Sequence, residues 1–387
     1  LTSIYAYLDV RFGKAAYRTG ASFFLLSKML GAAARLYLVC LILQNYVFGS
    51  LGVPFEVTAS GTVFLIWLYT FRGGIKSLVW TDALQTLCLI TALVLILYQL
   101  CRLNDFTVTE AIRHVTESPY GRWIEWDDWT SRQHFVKQFF SGVFIVIVMT
   151  GLDQDMMQKN LTCKNLRDAQ KDMCSYGFSF IPLNMLFLGM GILLLALASR
   201  EGIALPVKGD DILPLFCAEG YLGNEVLVWF TIGIIAAAFS SADSALTALT
   251  TSFCVDILDV ERRFARPEAV RKRVHGVIAL LFVGFILCFE AVNDSSVIDA
   301  IYVVASYTYG PLLGLFAFGM FTRRKPWPAA VPWICVTAPV CCYLLDVWTA
   351  SVYGYRFGYE LLMLNGLFTF VGLYAFSKAY SPGMDKR

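Results

Sequence analysis

Apolar blocks long enough to cross a bilayer recur along this chain, and they restrict its possible folds more than any motif does. A membrane-spanning helix needs about 20 mainly apolar residues, and blocks of roughly that length alternate with more polar connections. The hydrophobic fraction is 57%, against roughly 45–50% in soluble domains. Charged residues make up only 16% of the chain, too few to cover a water-facing surface. The predicted fold class is therefore an all-α polytopic membrane protein.

About ten transmembrane helices can be placed, separated by Gly, Pro and charged residues. They cover residues 21–49, 57–72, 76–101, 136–152, 173–199, 224–258, 272–292, 297–321, 328–348 and 359–379. Lys and Arg concentrate in every second connection, one of which holds Lys159, Lys164, Arg167 and Lys171. Because positive residues favour the cytoplasmic side, the pattern predicts a multi-pass protein of the plasma membrane. The net charge of +2 gives no indication of nucleic-acid binding.

Asp82 is the first ionisable residue predicted to lie at membrane depth. It lies early in a long apolar span and is followed by Leu84 and a run of apolar residues. An acid at this depth is costly, so a functional role such as cation binding is the natural hypothesis. The alternative is an acid near a helix start that is wetted by the membrane interface.

A second polar stretch, Ala236 to Thr247, falls in the middle of the span at 224–258. Ser240 and Ser244 are four residues apart, so they share one helix face. Small residues here would also allow close helix packing, which is the competing explanation. Packing does not require Asp243, however, and hard cations prefer carbonyl, hydroxyl and carboxylate oxygens. The stretch therefore provides oxygens of the kind that sodium prefers at bilayer depth.

Arg35 is predicted to lie within the first span, among Gly31, Ala32, Leu38 and Val39. A guanidinium does not lose its proton, so at membrane depth it needs a partner or water. One interpretation is a structural ion pair with an acid on another helix. The other is a substrate carboxylate, which the planar guanidinium can hold through two parallel hydrogen bonds.

Two further stretches are candidates for solute contacts. The apolar run that ends at Met149-Thr150-Gly151 is followed by Asp153 and other polar residues, which predicts a helix broken near the substrate level. The alternative is an ordinary cytoplasmic helix end. Tyr302 and Ser306 belong to an aromatic and hydroxyl cluster before Gly310-Pro311. This cluster either lines a pocket or only seals helix contacts.

Five motifs occur in the order found in one transporter family. They are Tyr7–Gly13, Trp80–Thr86, Asp153–Leu161, Ala237–Ser244 and Gly310–Phe316. With them the chain resembles the sodium:solute symporter family, whose members carry sugars, proline, pantothenate or sialic acid together with sodium. The resemblance implies the inverted-repeat fold of the bacterial leucine transporter and sodium-coupled symport by alternating access.

The resemblance also implies a division of this single transmembrane domain, residues 1–387. Residues 21–101 would be the remainder of the first repeat, 136–321 the second repeat and 328–379 additional C-terminal helices. Family members begin with helices that precede the Tyr7–Gly13 motif, so the chain is expected to be a fragment that needs those N-terminal helices as partners. By itself such a fragment is expected neither to bind sodium tightly nor to transport.

Sodium is the only metal ion that the resemblance implies. Matched position by position, Ala237 and Ser240 would supply backbone carbonyls to the main sodium site, and Ser241 its hydroxyl. In members with a second sodium site, an acid at the position of Asp82 joins residues that match Ser240, Asp243 and Ser244. The Asp at 243 replaces a hydroxyl residue of those members, which leaves the sodium stoichiometry open.

For the solute, Arg35 matches an arginine that meets the substrate carboxylate in sialic acid transporters. Sugar transporters place aromatic and polar residues where this chain has Val146 and Met149, which argues against a plain hexose. These residues, with Tyr302 and Ser306, are the predicted substrate contacts. The prediction is thus a symporter for a small, carboxylated, sialic acid-like solute.

Three alternatives stay open from the sequence. One is a sodium-coupled symporter for a sugar, polyol or amino acid. A membrane-embedded enzyme is a less favoured alternative, because His114, His134 and His275 form no metal motif and no Ser–His–acid pattern is visible. A channel or sensory receptor is the third. No catalytic residue is predicted.

Overall fold

A computed structural model of the chain describes residues 3–71, 75–122, 124–160, 162–292 and 297–379. Sixteen α-helices lie in these ranges. In chain order they are α1 (Ala6–Phe12), α2 (Lys14–Leu43), α3 (Phe55–Thr70), α4 (Ile75–Leu103), α5 (Val108–Glu117), α6 (Phe135–Val146), α7 (Gln154–Asn160), α8 (Leu166–Glu201), α9 (Ile212–Ala218), α10 (Asn224–Ser252), α11 (Val260–Arg263), α12 (Pro267–Val292), α13 (Val297–Thr308), α14 (Gly310–Phe321), α15 (Ala330–Tyr353) and α16 (Leu361–Ala375). Two short antiparallel strands, β1 (Arg324–Pro326) and β2 (Ser377–Ala379), pair near the C-terminal end of the described chain.

Each of the ten predicted spans falls on one of these helices or on a bent pair of them. Six helices in the described ranges are long and apolar enough to cross a membrane by themselves, and two bent pairs raise that number to eight. The remaining two spans correspond to α3, with 16 residues, and α16, with 15. The all-α polytopic architecture is therefore confirmed. The division into repeats at 21–101, 136–321 and 328–379 stays a prediction.

Helix α2 occupies the centre of the bundle and packs against α10, α12 and α13. Its inner face carries three consecutive alanines, Ala32 to Ala34, which are at most 1% exposed. Small side chains let neighbouring backbones approach closely, which is how membrane helices gain dispersion contacts. The packing places polar residues of α2, α4, α7 and α10 near one another in the middle of the protein.

A second structural feature is the 42° bend between α13 and α14. Pro311 has no backbone N–H, so the carbonyl of Tyr307, four residues earlier, cannot form its usual helical hydrogen bond. The amide Nδ2 of Asn365, on α16, donates to that carbonyl at 2.9 Å and to the carbonyl of Ser306 at 3.0 Å. A Cβ atom at Gly310 would lie only 2.3 Å from the Asn365 side chain. Glycine at 310 therefore leaves the space that Asn365 needs to donate hydrogen bonds to these two carbonyls.

Gly314→Ala is expected to destabilise the protein because α14 and α16 are in direct contact at this point. The new Cβ would lie 2.4 Å from Cβ of Thr369 and 2.7 Å from the backbone oxygen of Gly366. Overpacking of this kind costs about 1–3 kcal/mol, which outweighs the gain of roughly 0.5–1 kcal/mol from replacing a helical glycine. The measurement is thermal unfolding in detergent, in which the fraction of protein that stays monodisperse is monitored as the temperature rises.

Gly61→Ala, in α3, is the matched control. Apart from its chain neighbours and the backbone of its own helix, no atom of the described residues lies within 4 Å of the position that its Cβ would take, so this substitution should leave stability unchanged or raise it slightly. Equal unfolding temperatures for the two variants would contradict the close packing of α14 on α16.

A polar contact joins the start of α6 to the segment between α15 and α16. Lys137 Nζ, in the first turn of α6, donates to Tyr355 Oη at 2.9 Å, and that hydroxyl donates to Glu360 Oε1 at 2.5 Å. Burial, together with the neighbouring Glu360 carboxylate, raises the pKa of Tyr355 above its ordinary value. The phenol therefore stays protonated and fixes the start of the helix that leads to the candidate site.

Candidate functional site

The predicted break in the helix after Met149-Thr150-Gly151 is present in the structure. Helix α6 continues into a π-helical turn, Ile147–Gly151, and the following helix α7 is turned by 64° relative to it. At the break, Asp153 Oδ1 accepts a hydrogen bond of 2.8 Å from the backbone N–H of Asp155. This is the contact by which an Asp caps a helix start, so the break is encoded locally by the residues that form it.

A buried ion cluster connects this break to the central helix α2. Lys28 Nζ lies 3.2 and 3.0 Å from the two carboxylate oxygens of Asp153, and 3.1 Å from Oδ2 of Asp155. The side chains of Lys28, Asp153 and Asp155 are 8%, 4% and 13% exposed. Tyr309 adds a hydrogen bond of 3.3 Å to Asp153 Oδ2. A single lysine thus pairs with both acids of the break at a depth where an unpaired charge would be costly.

The seam between α4 and α10 holds a second charged cluster. Asp82 Oδ1 accepts a hydrogen bond of 2.7 Å from Ser240 Oγ. Its other oxygen, Oδ2, lies 3.0 Å from Lys159 Nζ, and the same ammonium lies 3.0 Å from Ser244 Oγ. The structure therefore brings together three residues that the sequence predicted as sodium ligands. It joins them through a lysine that the sequence interpretation had placed in a cytoplasmic connection.

Asp243 is engaged elsewhere. It is fully buried, and its Oδ2 accepts a short hydrogen bond from Tyr69 Oη on α3. Its Oδ1 accepts one from the backbone N–H of Ser244. The predicted sharing of a second sodium ion by Asp82, Asp243 and Ser244 stays a prediction, and this geometry directs Asp243 towards α3. Ser241 and Ala237 are half-buried on α10, one helical turn apart.

Arg35 lies half-buried on α2, about two helical turns beyond Lys28. Its Nε donates to the carbonyl oxygen of Gly31, on its own helix, at 3.1 Å. Among the residues that the structure describes, no carboxylate lies within 4.0 Å of the guanidinium. The predicted acid therefore forms no direct ion pair with Arg35 in that part of the chain, although the Arg35 charge acts on Asp155 from a greater distance.

The other predicted solute contacts have different environments. Val146 is 59% exposed, whereas Met149 packs against the apolar cluster around Tyr309. The ring of Tyr302 lies 4.9 Å from that of Tyr359, measured between centroids. Ser306 is 1% exposed and donates to the carbonyl of Tyr302 at 2.8 Å. Within the described residues, hydrogen bonds and ring contacts link none of these side chains to Arg35.

Sequence reasoning missed the partners of the two lysines. The available signal was that a Lys inside a span needs an acid, and Asp153-x-Asp155 supplies two acids at a helix break. Tyr69 gave no such signal, because a tyrosine in an apolar helix is as easily explained by packing. With the two lysines, their acid partners and Tyr69, the site contains ion pairs as well as the hydroxyl groups that the sequence predicted.

Comparison of the sequence with known proteins finds sodium-coupled transporters. The sodium/sialic acid symporter NanT of Aliivibrio fischeri is 25% identical over 341 residues, which are 84% of this chain and 64% of that protein. The sodium/sialic acid symporter SiaT of Proteus mirabilis is 26% identical over 350 residues, or 87% and 68% of the two proteins. The human sodium/iodide cotransporter is 23% identical over 344 residues, or 83% and 50%. The chain thus spans between half and about two thirds of the length of these transporters.

A solved structure and a family model extend the comparison. The substrate-bound outward-open state of a Na+-coupled sialic acid symporter is 20% identical and superimposes with a TM-score of 0.77, over 98% of this chain and 79% of that one. This likeness confirms the predicted leucine-transporter-like fold. The model of the sodium:solute symporter family matches residues 4–330. Because that match extends over most of the chain, the chain belongs to the sodium:solute symporter family.

Proposed function

We propose that this protein is a sodium-coupled symporter that imports a small carboxylated solute, similar to sialic acid, across the plasma membrane. The observation that carries the proposal is the oxygen-rich face of α10 beside the broken helix. Ser240, Ser241 and Ser244 lie within five positions on this helix, and Asp82 of α4 lies opposite them. Such oxygens suit sodium. Membership of the sodium:solute symporter family supports sodium as the coupling ion.

In this proposal the seam between α4 and α10 is the place where the ion acts. Ala237 and Ser240 would offer carbonyl oxygens and Ser241 a hydroxyl to the transported sodium ion. Arg35, one element away on α2, would hold the solute carboxylate. Binding of ion and solute on either side of the break between α6 and α7 would favour one state of the transporter over another, which is the basis of alternating access.

The proposal assigns no catalytic residue. His275 is buried, with one ring nitrogen 3.0 Å from Thr70 Oγ1 and the other 3.0 Å from Thr250 Oγ1. A histidine held between two threonine hydroxyls fits a structural connection between α3, α10 and α12. This arrangement supports transport over the membrane-enzyme alternative.

Ser241→Ala is expected to raise the sodium concentration needed for half-maximal uptake, by about tenfold, a change equivalent to about 1.4 kcal/mol of binding free energy. Removing one hydroxyl ligand weakens sodium binding without changing the solute contacts. The measurement is uptake of labelled solute into proteoliposomes over a series of sodium concentrations.

Thr231→Ala is the matched control on the same helix. Its hydroxyl donates to the carbonyl of Leu227, almost three helical turns from Ser241, so its sodium dependence should match that of the wild type. Identical sodium dependence in both variants would remove Ser241 from the site, and uptake without sodium would contradict the proposed coupling.

A further inference from the structure

The cluster around Lys159 resembles a cation site that already contains a cation. The ammonium lies 3.0 Å from Asp82 Oδ2 and 3.0 Å from Ser244 Oγ, and Ser240 donates to the other oxygen of Asp82. These are three of the four residues that family resemblance would assign to a second sodium ion. The fourth, Asp243, is held by Tyr69 and by the backbone of Ser244.

An ammonium group and a sodium ion carry the same single charge and bind the same oxygen donors. They cannot both occupy this cluster at low cost, because two positive charges would then lie against the same two oxygens, Asp82 Oδ2 and Ser244 Oγ. Lys159 also has an advantage over a free sodium ion, because its ammonium group is covalently attached to the protein. Its helix, α7, is fixed at its start by the Asp153 cap and the Lys28 ion pairs, so the ammonium is presented at a high effective concentration.

The surrounding charges lead to the same conclusion. Near the break and the seam, Lys28 pairs with both Asp153 and Asp155, and Lys159 pairs with Asp82. None of these three carboxylates is left without a cation of the chain itself. A sodium ion that binds Asp82 Oδ2 and Ser244 Oγ would have to displace Lys159 from these oxygens.

We propose that Lys159 is a built-in cation that takes the place of the second sodium ion, so that this protein couples each solute to one sodium ion. The inference rests on the proposed sodium-coupled function and concerns only the number of ions. Asp82 is then a ligand of the lysine, and the transported ion binds on the side of Ala237 and Ser241.

The experiment counts sodium ions bound to the protein purified in nanodiscs together with its expected N-terminal helices, using radiolabelled sodium at saturating concentration. We expect one ion for the wild type and two for Lys159→Met, which frees Asp82 and its hydroxyl neighbours. The Hill coefficient for sodium-dependent uptake in proteoliposomes should rise from near one to near two in parallel. Lys159→Arg keeps the positive charge and should still bind one ion.

Asp82→Asn provides a measurement that does not depend on the folding of the lysine variant. In the wild-type background it should leave the count at one, because the transported ion does not use Asp82. Two ions in the wild type, or loss of an ion in Asp82→Asn, would overturn the inference while leaving sodium coupling intact. One ion in a folded Lys159→Met protein would overturn it as well. No bound sodium in the wild type would instead contradict the proposed function itself.

Discussion

Replacing Lys28 with Met is expected to destabilise the protein by about 3–5 kcal/mol, the range found when one partner of a buried ion pair is removed. The ammonium contacts three carboxylate oxygens, on Asp153 and Asp155. All three side chains are at most 13% exposed, so water cannot replace the lost cation. The measurement is the free energy of unfolding in mixed detergent micelles, with thermal unfolding as a second readout.

Two variants make this expectation specific. Lys28→Met combined with Asp153→Asn removes one of the unpaired charges, and an Asn oxygen can still accept the N–H of Asp155, so part of the stability should return. Arg113→Met breaks an ion pair with Glu117 whose side chains are 76% and 62% exposed, and should cost at most about 1 kcal/mol. A Lys28→Met protein as stable as the wild type would show that the break does not depend on this cluster.

Arg35→Lys is expected to lower the uptake efficiency for an acidic solute by about 10- to 100-fold, as the loss of a hydrogen-bonded charge contact of 1.5–3 kcal/mol implies. Lys is charged but cannot reproduce the planar, bidentate geometry of a guanidinium. In the structure Arg35 donates from Nε to the carbonyl of Gly31, which leaves the terminal nitrogens for a carboxylate. Membrane insertion and the unfolding temperature should change little.

Competition assays test the chemistry of the solute directly. Sialic acid or a similar sugar acid should inhibit uptake in the wild type, whereas its amide or alcohol analogue should not. Arg200→Lys is the matched control, since Arg200 pairs with Asp105 at an exposed site and should leave competition unchanged. Equal inhibition by neutral sugars would show that Arg35 is structural and that the solute is not recognised by its carboxylate.

Features that depend on neighbouring residues could be predicted from the sequence. The spans follow from local hydropathy, and the break follows from Gly151 and Asp153 at the end of an apolar run. The structure places the break between α6 and α7, where Asp153 caps the second helix. Helix ends were less accurate, since α8 begins at Leu166 rather than at residue 173.

The ion pairs could not be predicted, because each one depends on how distant helices pack. Lys28 and Asp153 are 125 residues apart, and Lys159 and Asp82 are 77 apart. The sequence shows that a lysine at membrane depth needs an acid, but it offers several acids and no means of choosing among them. Lys159 is instructive in this respect, because charge alone placed it in a cytoplasmic connection and tertiary packing turned it towards α4 and α10.

The bend between α13 and α14 differs from the break between α6 and α7 in how it responds to force. Asn365 satisfies the carbonyls of Ser306 and Tyr307, and close packing against α16 leaves no space for the angle to change. We expect such a bend to be rigid, so that motion of one helix is passed on to the other. The break at Leu152–Asp153 is held instead by side-chain ion pairs between Lys28 and the two acids, with no helix of the described residues packed into the angle as α16 is, so it can act as the hinge. We therefore expect α13, α14 and α16 to move together as one rigid unit. We expect bending between α6 and α7 to occur mainly at residues 152–153.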